Sequence, residues 1–288
     1  EFTKLPQQLQ EIINDPDKRK KLVIYINPPY AEAANKRRIS NTGTNRTNVA
    51  IAHSVHERYA NKIGMAAREL FTLFMARIYT EIPSCKLAKF STLKILQAPF
   101  FSEFRNFFHA KLERLFLVPA NTFDNVKGQF PIGFYIWDLN EHKPFETIRS
   151  DVYDFDGKFY TYKKITIQLP KSFINNWIFS TRKRNNEKII AFLNVNSSDF
   201  QHNNIIYIAT TKEQYKGAHG LYITNQNLTE SAIYLTVRHS IAPTWLNDRD
   251  QFLYPNNGWQ QDSAFQNNCL VSTLFSTFNN IQSQYGTN

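Results

Sequence analysis

The residues best placed to do chemistry stand together at Asn27-Pro28-Pro29-Tyr30. Within four positions they offer an amide side chain, backbone carbonyls stiffened by two proline rings, and a flat aromatic face. Ahead of them run Leu22-Val23-Ile24-Tyr25-Ile26, β-prone and without polar alternation, which predicts a buried parallel strand. The prolines cannot donate to a ladder, so the strand must end there. In open α/β sheets the carboxyl edge of the strands is where ligands bind. A blander reading makes the Pro-Pro pair a plain loop. A proline-rich docking ligand fits poorly, because the segment is isolated and follows a core strand.

The tetrapeptide resembles motif IV of the amino-group DNA methyltransferases, which use S-adenosylmethionine (SAM). The resemblance implies a chemistry for each residue. An exocyclic amine is a poor nucleophile because its lone pair is delocalised into the ring. Two acceptors aimed at its N–H groups favour a tetrahedral nitrogen and point the lone pair at the methyl donor. The side-chain oxygen of Asn27 and the carbonyl of Pro28 would be that pair, with Pro29 helping to hold the direction, which is preorganisation. Tyr30 would stack on a base flipped out of the duplex. No general base is required on the chain, since the proton can leave after methyl transfer.

The chain has 288 residues, enough for one large domain or two ordinary ones. At 42% hydrophobic it can build a core, and wholesale disorder is not expected. A net charge of +10 favours a polyanionic partner without proving one. Cys85 and Cys269 are far apart and lack metal spacing, so reduced buried thiols in a cytosolic protein are expected, and no metal site. No apolar window approaches the ~20 residues of a membrane span. Glu1-Phe2-Thr3-Lys4 shows neither a signal peptide nor an initiator Met, so the sequence reads as a fragment.

The elements that must position the motif follow from periodicity. Lys4 to Asn14 reads as an amphipathic helix. The run Lys18-Arg19-Lys20-Lys21 reads as a solvated face, with phosphate contact as the sharper alternative. After Tyr30, a polar stretch from Ala31 to Asn48 carries Lys36, Arg37, Arg38 and Arg46. Its length suits either a DNA-facing loop or ordinary disorder. Val49 to Ile82 is strongly helical, Phe90 to Gln97 reads as a strand, and Glu103 to Leu112 as a helix. Leu115 to Val118 and Phe130 to Leu139 read as strands, so this half is expected to be α/β.

Here the resemblance widens. Leu87 to Leu139 looks like the later half of a γ-type N6-adenine methyltransferase core, in which motif IV is followed by a helix, a strand, a helix, a strand and a final β-hairpin. The run Pro119 to Ile132 resembles the loop into that hairpin. The family usually places an aromatic there against the other side of the flipped base, and Phe123 and then Phe130 are the candidates. Taken alone, either ring reads as core. The likeness covers residues 1–140. It departs from the family in lacking the Gly-rich turn and the acidic residue of the donor site ahead of Asn27; Gly217-Ala218-His219-Gly220 is a candidate by composition alone. The SAM site is therefore expected mostly outside this chain, on a missing N-terminal half or a separate subunit.

From Glu141 onward Asn, Gln, Thr and Tyr rise, which predicts an accessory or target-recognition α+β segment over 141–288. It should hold a hairpin around Asp156-Gly157 and a helix from Lys171 to Thr181 ending in Arg182-Lys183-Arg184, candidate phosphate contacts. Further strands are predicted at 189–195, 205–209 and 232–237, with a closing helix at 270–281. Asp248, Asp250 and Asp262 are too scattered to suggest a metal site.

The resulting expectation is the second half of a SAM-dependent methyltransferase (Rossmann-like) α/β sheet followed by an α+β segment. Its implied activity is methylation of adenine N6 in double-stranded DNA within a bacterial, cytoplasmic restriction–modification system, since Asn rather than Ser at position 27 is the family's choice for adenine. Full activity would require the Gly-rich half. Two rivals remain. One is a protein-glutamine N-methyltransferase, which shares Asn-Pro-Pro-Tyr but usually ends soon after it. The other is a non-catalytic DNA-binding remnant.

Overall fold

The computed structural model describes residues 4–28, 54–123, 126, 128–167, 173–182, 188–214, 219–283 and 286–287. The chain divides into two compact units, residues 1–167 and 168–288.

The first unit is built on a mixed six-stranded sheet. Its strands are β1 (Val23–Ile26), β2 (Lys86–Thr92), β3 (Ala110–Pro119), β4 (Pro131–His142), β5 (Thr147–Tyr153) and β6 (Phe159–Thr166), in the order β1-β2-β4-β3-β5-β6. β1 and β2 are parallel, as are β3 and β5; β4 runs antiparallel to both β2 and β3. Before β1 come α1 (Gln7–Asn14) and the single turn α2 (Pro16–Arg19), whose N-terminus is capped by the Asp15 carboxylate. Between β1 and β2 lie α3 (Ser54–Ile63) and α4 (Leu70–Glu81). After β2 come α5 (Lys94–Gln97) and α6 (Ser102–Phe107).

Alternation along the strands separates two faces of the sheet. Leu87, Lys89, Leu115, Leu117, Tyr135 and Trp137 are buried on one, where α4 meets it through Phe71 and Met75. The other carries a row of half-buried rings: Phe90 to Phe134 at 4.8 Å, Phe134 to Phe116 at 5.1 Å, and Phe116 to Tyr153 at 5.8 Å.

The second unit packs a three-stranded antiparallel sheet against helices. The strands are β7 (Ala191–Asn194), β8 (Tyr207–Ala209) and β9 (Gly220–Ile223), with β7 central. The helices are α7 (Ile174–Ser180), α8 (Leu228–His239) and α9 (Ser263–Phe275). Its core joins Trp177, Ile178, Leu193, Leu221, Ile233 and Phe252.

Several expectations are corrected. The boundary falls at 167 rather than 140, because β5 adds to the free edge of β3 through Phe116–Asp151 and Leu117–Val152, and β6 follows it. The composition shift at Glu141 therefore marks a polar strand connection within one sheet. β1 is parallel as expected but not buried: it lies at the sheet edge with Val23 60% and Tyr25 58% exposed. β2 starts at Lys86, directly after a turn in which Ser84 takes a φ of 72°, and residues 94–97 are helical rather than strand. The helix expected to reach Leu112 stops at Phe107, because the chain from Ala110 joins β4. Residues 232–237 form the middle of α8 rather than a strand.

Candidate active site at the carboxyl end of β1

The strand that carries the motif is short and anchored on one side only. Its register is Val23–Lys86, Ile24–Leu87, Tyr25–Ala88 and Ile26–Lys89, and the Lys86 N–H donates to the carbonyl of Leu22 at 2.9 Å. The ladder ends after Ile26. Asn27 follows exposed and Pro28 buried, so the amide stands at the surface while the proline beneath it is fixed by packing. Pro29 and Tyr30 lie outside the described residues, as do Lys36, Arg37, Arg38 and Arg46.

Phe123 and Phe130 enter from the segment between β3 and β4. Phe123 meets Phe90 edge-on at 5.2 Å, and the Phe130 carbonyl accepts from the Ala120 N–H at 2.8 Å. Both pack against Val118, Ala120 and Ile132, and both remain half-buried. The rings therefore sit on the same face of the sheet as Tyr25, which reaches Phe134 at 6.3 Å. That face joins the motif strand to the hairpin loop by a run of aromatic contacts.

A second residue near the motif escaped the sequence reading. Lys89 stands opposite Ile26 on β2 and is fully buried. Its Nζ lies 3.8 Å over the Phe71 ring and donates to Met75 Sδ at 3.4 Å. Burial pushes its pKa well down, against the pull of Glu69. Glu69 itself is bridged to Lys94 at 3.0 Å. The signal was a lone Lys at an inward position of Leu87-Ala88-Lys89-Phe90-Ser91, visible only once the strand's start was placed.

The basic clusters are only partly described. Of Arg182, Lys183 and Arg184, the last two lie outside the described residues. Arg182 is exposed but tethered: it donates to the Gly220 carbonyl at 2.7 Å and sits 4.3 Å over the Phe179 ring. Lys18 and Lys20 pair with Asp15 and Asp17 at 3.8 and 3.0 Å, which fits the solvated reading of that run. Asp248 is half-buried beside Arg249, and burial raises its pKa. Asp262 caps α9 by accepting from the Phe265 N–H. Among the described residues, no group of His, Cys, Asp and Glu could hold a metal.

The described residues do not fit a methyl donor. Among the described residues, no strand lies beyond β1 in the sheet, and no strand runs into a Gly-x-Gly turn. Position 217 lies outside the described residues, and Gly220 opens β9 of the second unit. A cavity of about 210 Å³ does exist in the first unit, but its lining includes Phe104, Arg105, His109, Trp137 and Phe145 and nothing from β1. Arg105 there is pushed down to about 10 by burial and donates to the carbonyls of Ile95 and Ala98. These residues do not make a donor site. Among the described residues, no helix is long and apolar enough to cross a membrane.

The arrangement offers an amide oxygen and a proline-held carbonyl at the end of a parallel strand, beside an aromatic sheet face. No protein-family model matches the chain, and no curated protein is significantly similar to it.

Proposed function

We propose that the chain is the acceptor-binding half of a SAM-dependent N6-adenine DNA methyltransferase of the restriction–modification type. The observation that carries this reading is the end of β1: a parallel strand of a mixed α/β sheet stops at an exposed Asn27 followed by a buried Pro28. The element order supports it as well. A helical segment leads to β2, a helix to β3, and a loop bearing Phe123 and Phe130 to β4.

In this reading Asn27 Oδ1 and the Pro28 carbonyl accept from the two N–H groups of a flipped adenine amine, and Tyr30 stacks on the base. Phe123, or Phe130 beside it, closes the other side. The net charge of +10 supports a double-stranded DNA partner. SAM is the methyl donor, held mostly by a further polypeptide segment. The exposed apolar edge of β1 supports that view, because parallel strands are ordinarily buried on both sides.

The same edge favours a second reading for the isolated chain, a DNA-binding protein without turnover. Label transfer from SAM to mixed-sequence duplex DNA separates the two. The assay compares this chain, a longer chain bearing upstream sequence, and the longer chain with Asn27→Ala. Label in adenine from the longer chain, reduced at least a hundredfold by Asn27→Ala, on the order expected for loss of a key transition-state contact, supports the enzyme. Salt-dependent DNA binding without transfer from either chain leaves the remnant reading. Label on a protein glutamine instead points to the glutamine methyltransferases.

A further inference from the structure

We infer that the hairpin β5–β6 is a binding surface for an unpaired nucleic-acid strand, a site separate from the end of β1. It lies at the opposite edge of the same sheet. β6 reads Phe159-Tyr160-Thr161-Tyr162-Lys163-Lys164-Ile165-Thr166, and in it Ile165 alone is buried. Phe159, Tyr160 and Tyr162 are 52%, 62% and 52% exposed. An edge strand needs charge or brevity to stay soluble, and three large exposed rings work against that need. Folding does not account for them.

Their arrangement points to a ligand. Tyr153 lies 6.2 Å from Phe159, and Phe159 lies 4.8 Å from Tyr162. The guanidinium of Arg149 sits 3.7 Å over the Tyr162 ring, and Arg149 pairs in register with Lys164. Rings and cations therefore share one surface, with π faces for bases and positive charges for the phosphates between them. β6 carries two lysines and no acid.

The acids of the hairpin fix the direction of approach. Asp151 stands opposite Tyr162 on β5, and Asp154 and Asp156 are at the turn. The Asp154 carboxylate accepts from the N–H groups of Asp156 and Lys158 at 3.0 and 2.8 Å. Phe155 at the tip thus lies between two carboxylates, which opposes insertion into an anionic lipid surface. A polyanion meets its complement at the Arg149–Lys164 pair, and Asp151, on the same face opposite Tyr162, bounds that positive patch toward the turn. Bases inside a duplex are stacked on one another and offer no face to these rings, so the matching form is a single strand.

Fluorescence anisotropy with a labelled oligothymidylate, run on the whole chain at low salt, tests this. Tyr162→Ala with Phe159→Ala should weaken binding roughly tenfold or more while leaving the salt slope unchanged. Tyr162→Trp should retain affinity. Lys164→Gln should reduce the slope of log K against log salt by about 0.7, one phosphate contact on a single strand. Each variant should keep a cooperative melting transition, because these side chains are about half exposed and lie outside the core. The inference is overturned if the parent does not bind the single strand. It is also overturned if the ring variants bind as the parent does, if the ring substitutions weaken a duplex of equal length as much as the single strand, or if phosphatidylserine vesicles displace the oligonucleotide. The assay needs no SAM, so its result is independent of the methyl-transfer reading.

Discussion

Among the described residues, each unit of the molecule buries one long cationic side chain completely, and the two solve the same problem in opposite ways. Lys89 of the first unit has a sulfur and a ring for company. Arg238 of the second unit has oxygen acceptors on every side. Its Nε donates to Asn203 Oδ1 at 2.8 Å, its Nη1 to the Tyr234 hydroxyl at 2.7 Å, and its Nη2 to the Asp199 carbonyl at 2.9 Å. The Tyr234 hydroxyl donates onward to Asn175 at 2.8 Å, and burial pushes that phenol up to about 12. Burial lowers both cations. An arginine starts so high that it stays charged, and its planar fork matches fixed acceptors. A lysine can shed its proton instead of being solvated. Full burial makes Arg238 a hydrogen-bonded cross-link, whereas Lys89, with no oxygen acceptor among the described residues within reach of its Nζ, has its pKa driven down by the same burial.

The largest effect should come from breaking the arginine network. Arg238→Ala leaves Asn203, Tyr234 and the Asp199 carbonyl with unmet hydrogen bonds and opens a cavity, for a loss of about 3–5 kcal/mol. Arg238→Lys keeps charge but loses the fork and should cost about 2 kcal/mol. Urea denaturation followed by tryptophan fluorescence measures both, and if Arg238→Lys is neutral the cross-link description fails.

Lys89→Met should do the reverse and stabilise by about 1 kcal/mol at neutral pH. The sign follows from linkage. The folded-state pKa lies below the unfolded value of 10.5, so the unfolded chain binds the extra proton between them and stability rises with pH. The advantage of Lys89→Met should therefore shrink as pH climbs toward 10.5, by up to ~1.4 kcal/mol per unit. A gap constant from pH 7 to 9.5 would mean that Lys89 stays charged. The smallest effect belongs to Glu69→Gln. It removes the ion pair to Lys94 and the one carboxylate that opposes the shift at Lys89. A loss of about 0.5–1 kcal/mol is expected, with the pH dependence extending to lower pH as the sharper readout.

These two cations also mark what the sequence could and could not tell. Residues 232–237 are Ala-Ile-Tyr-Leu-Thr-Val, β-prone by type, yet they lie in α8 because Tyr234 and Arg238 must meet one polar network and Ile233 and Leu235 the core. Tertiary demand overrode local preference. The helical pattern over 49–82 covers α3 and α4 as a single segment, the strand expected at 130–139 falls on β4, and Asp156-Gly157 marks a real turn with Gly157 at a φ of 75°. The strand end at Asn27 was legible because prolines stop a ladder whatever surrounds them. That β1 lies at an edge was not legible, since neighbours rather than composition decide it. The same limit hid the pairing of β3 with β5 and misplaced the boundary between the units.

The open side of β1 has a practical consequence. Four residues with apolar side chains and backbone groups unpaired on that side, among the described residues, present a template to any strand they meet. Dilute preparations of the chain should behave well and concentrated ones should self-associate, so protein concentration rather than temperature sets the usable window. A short peptide able to lie alongside Val23–Ile26 would act as a chaperone in the bench sense, turning a sticky intermediate into a storable reagent.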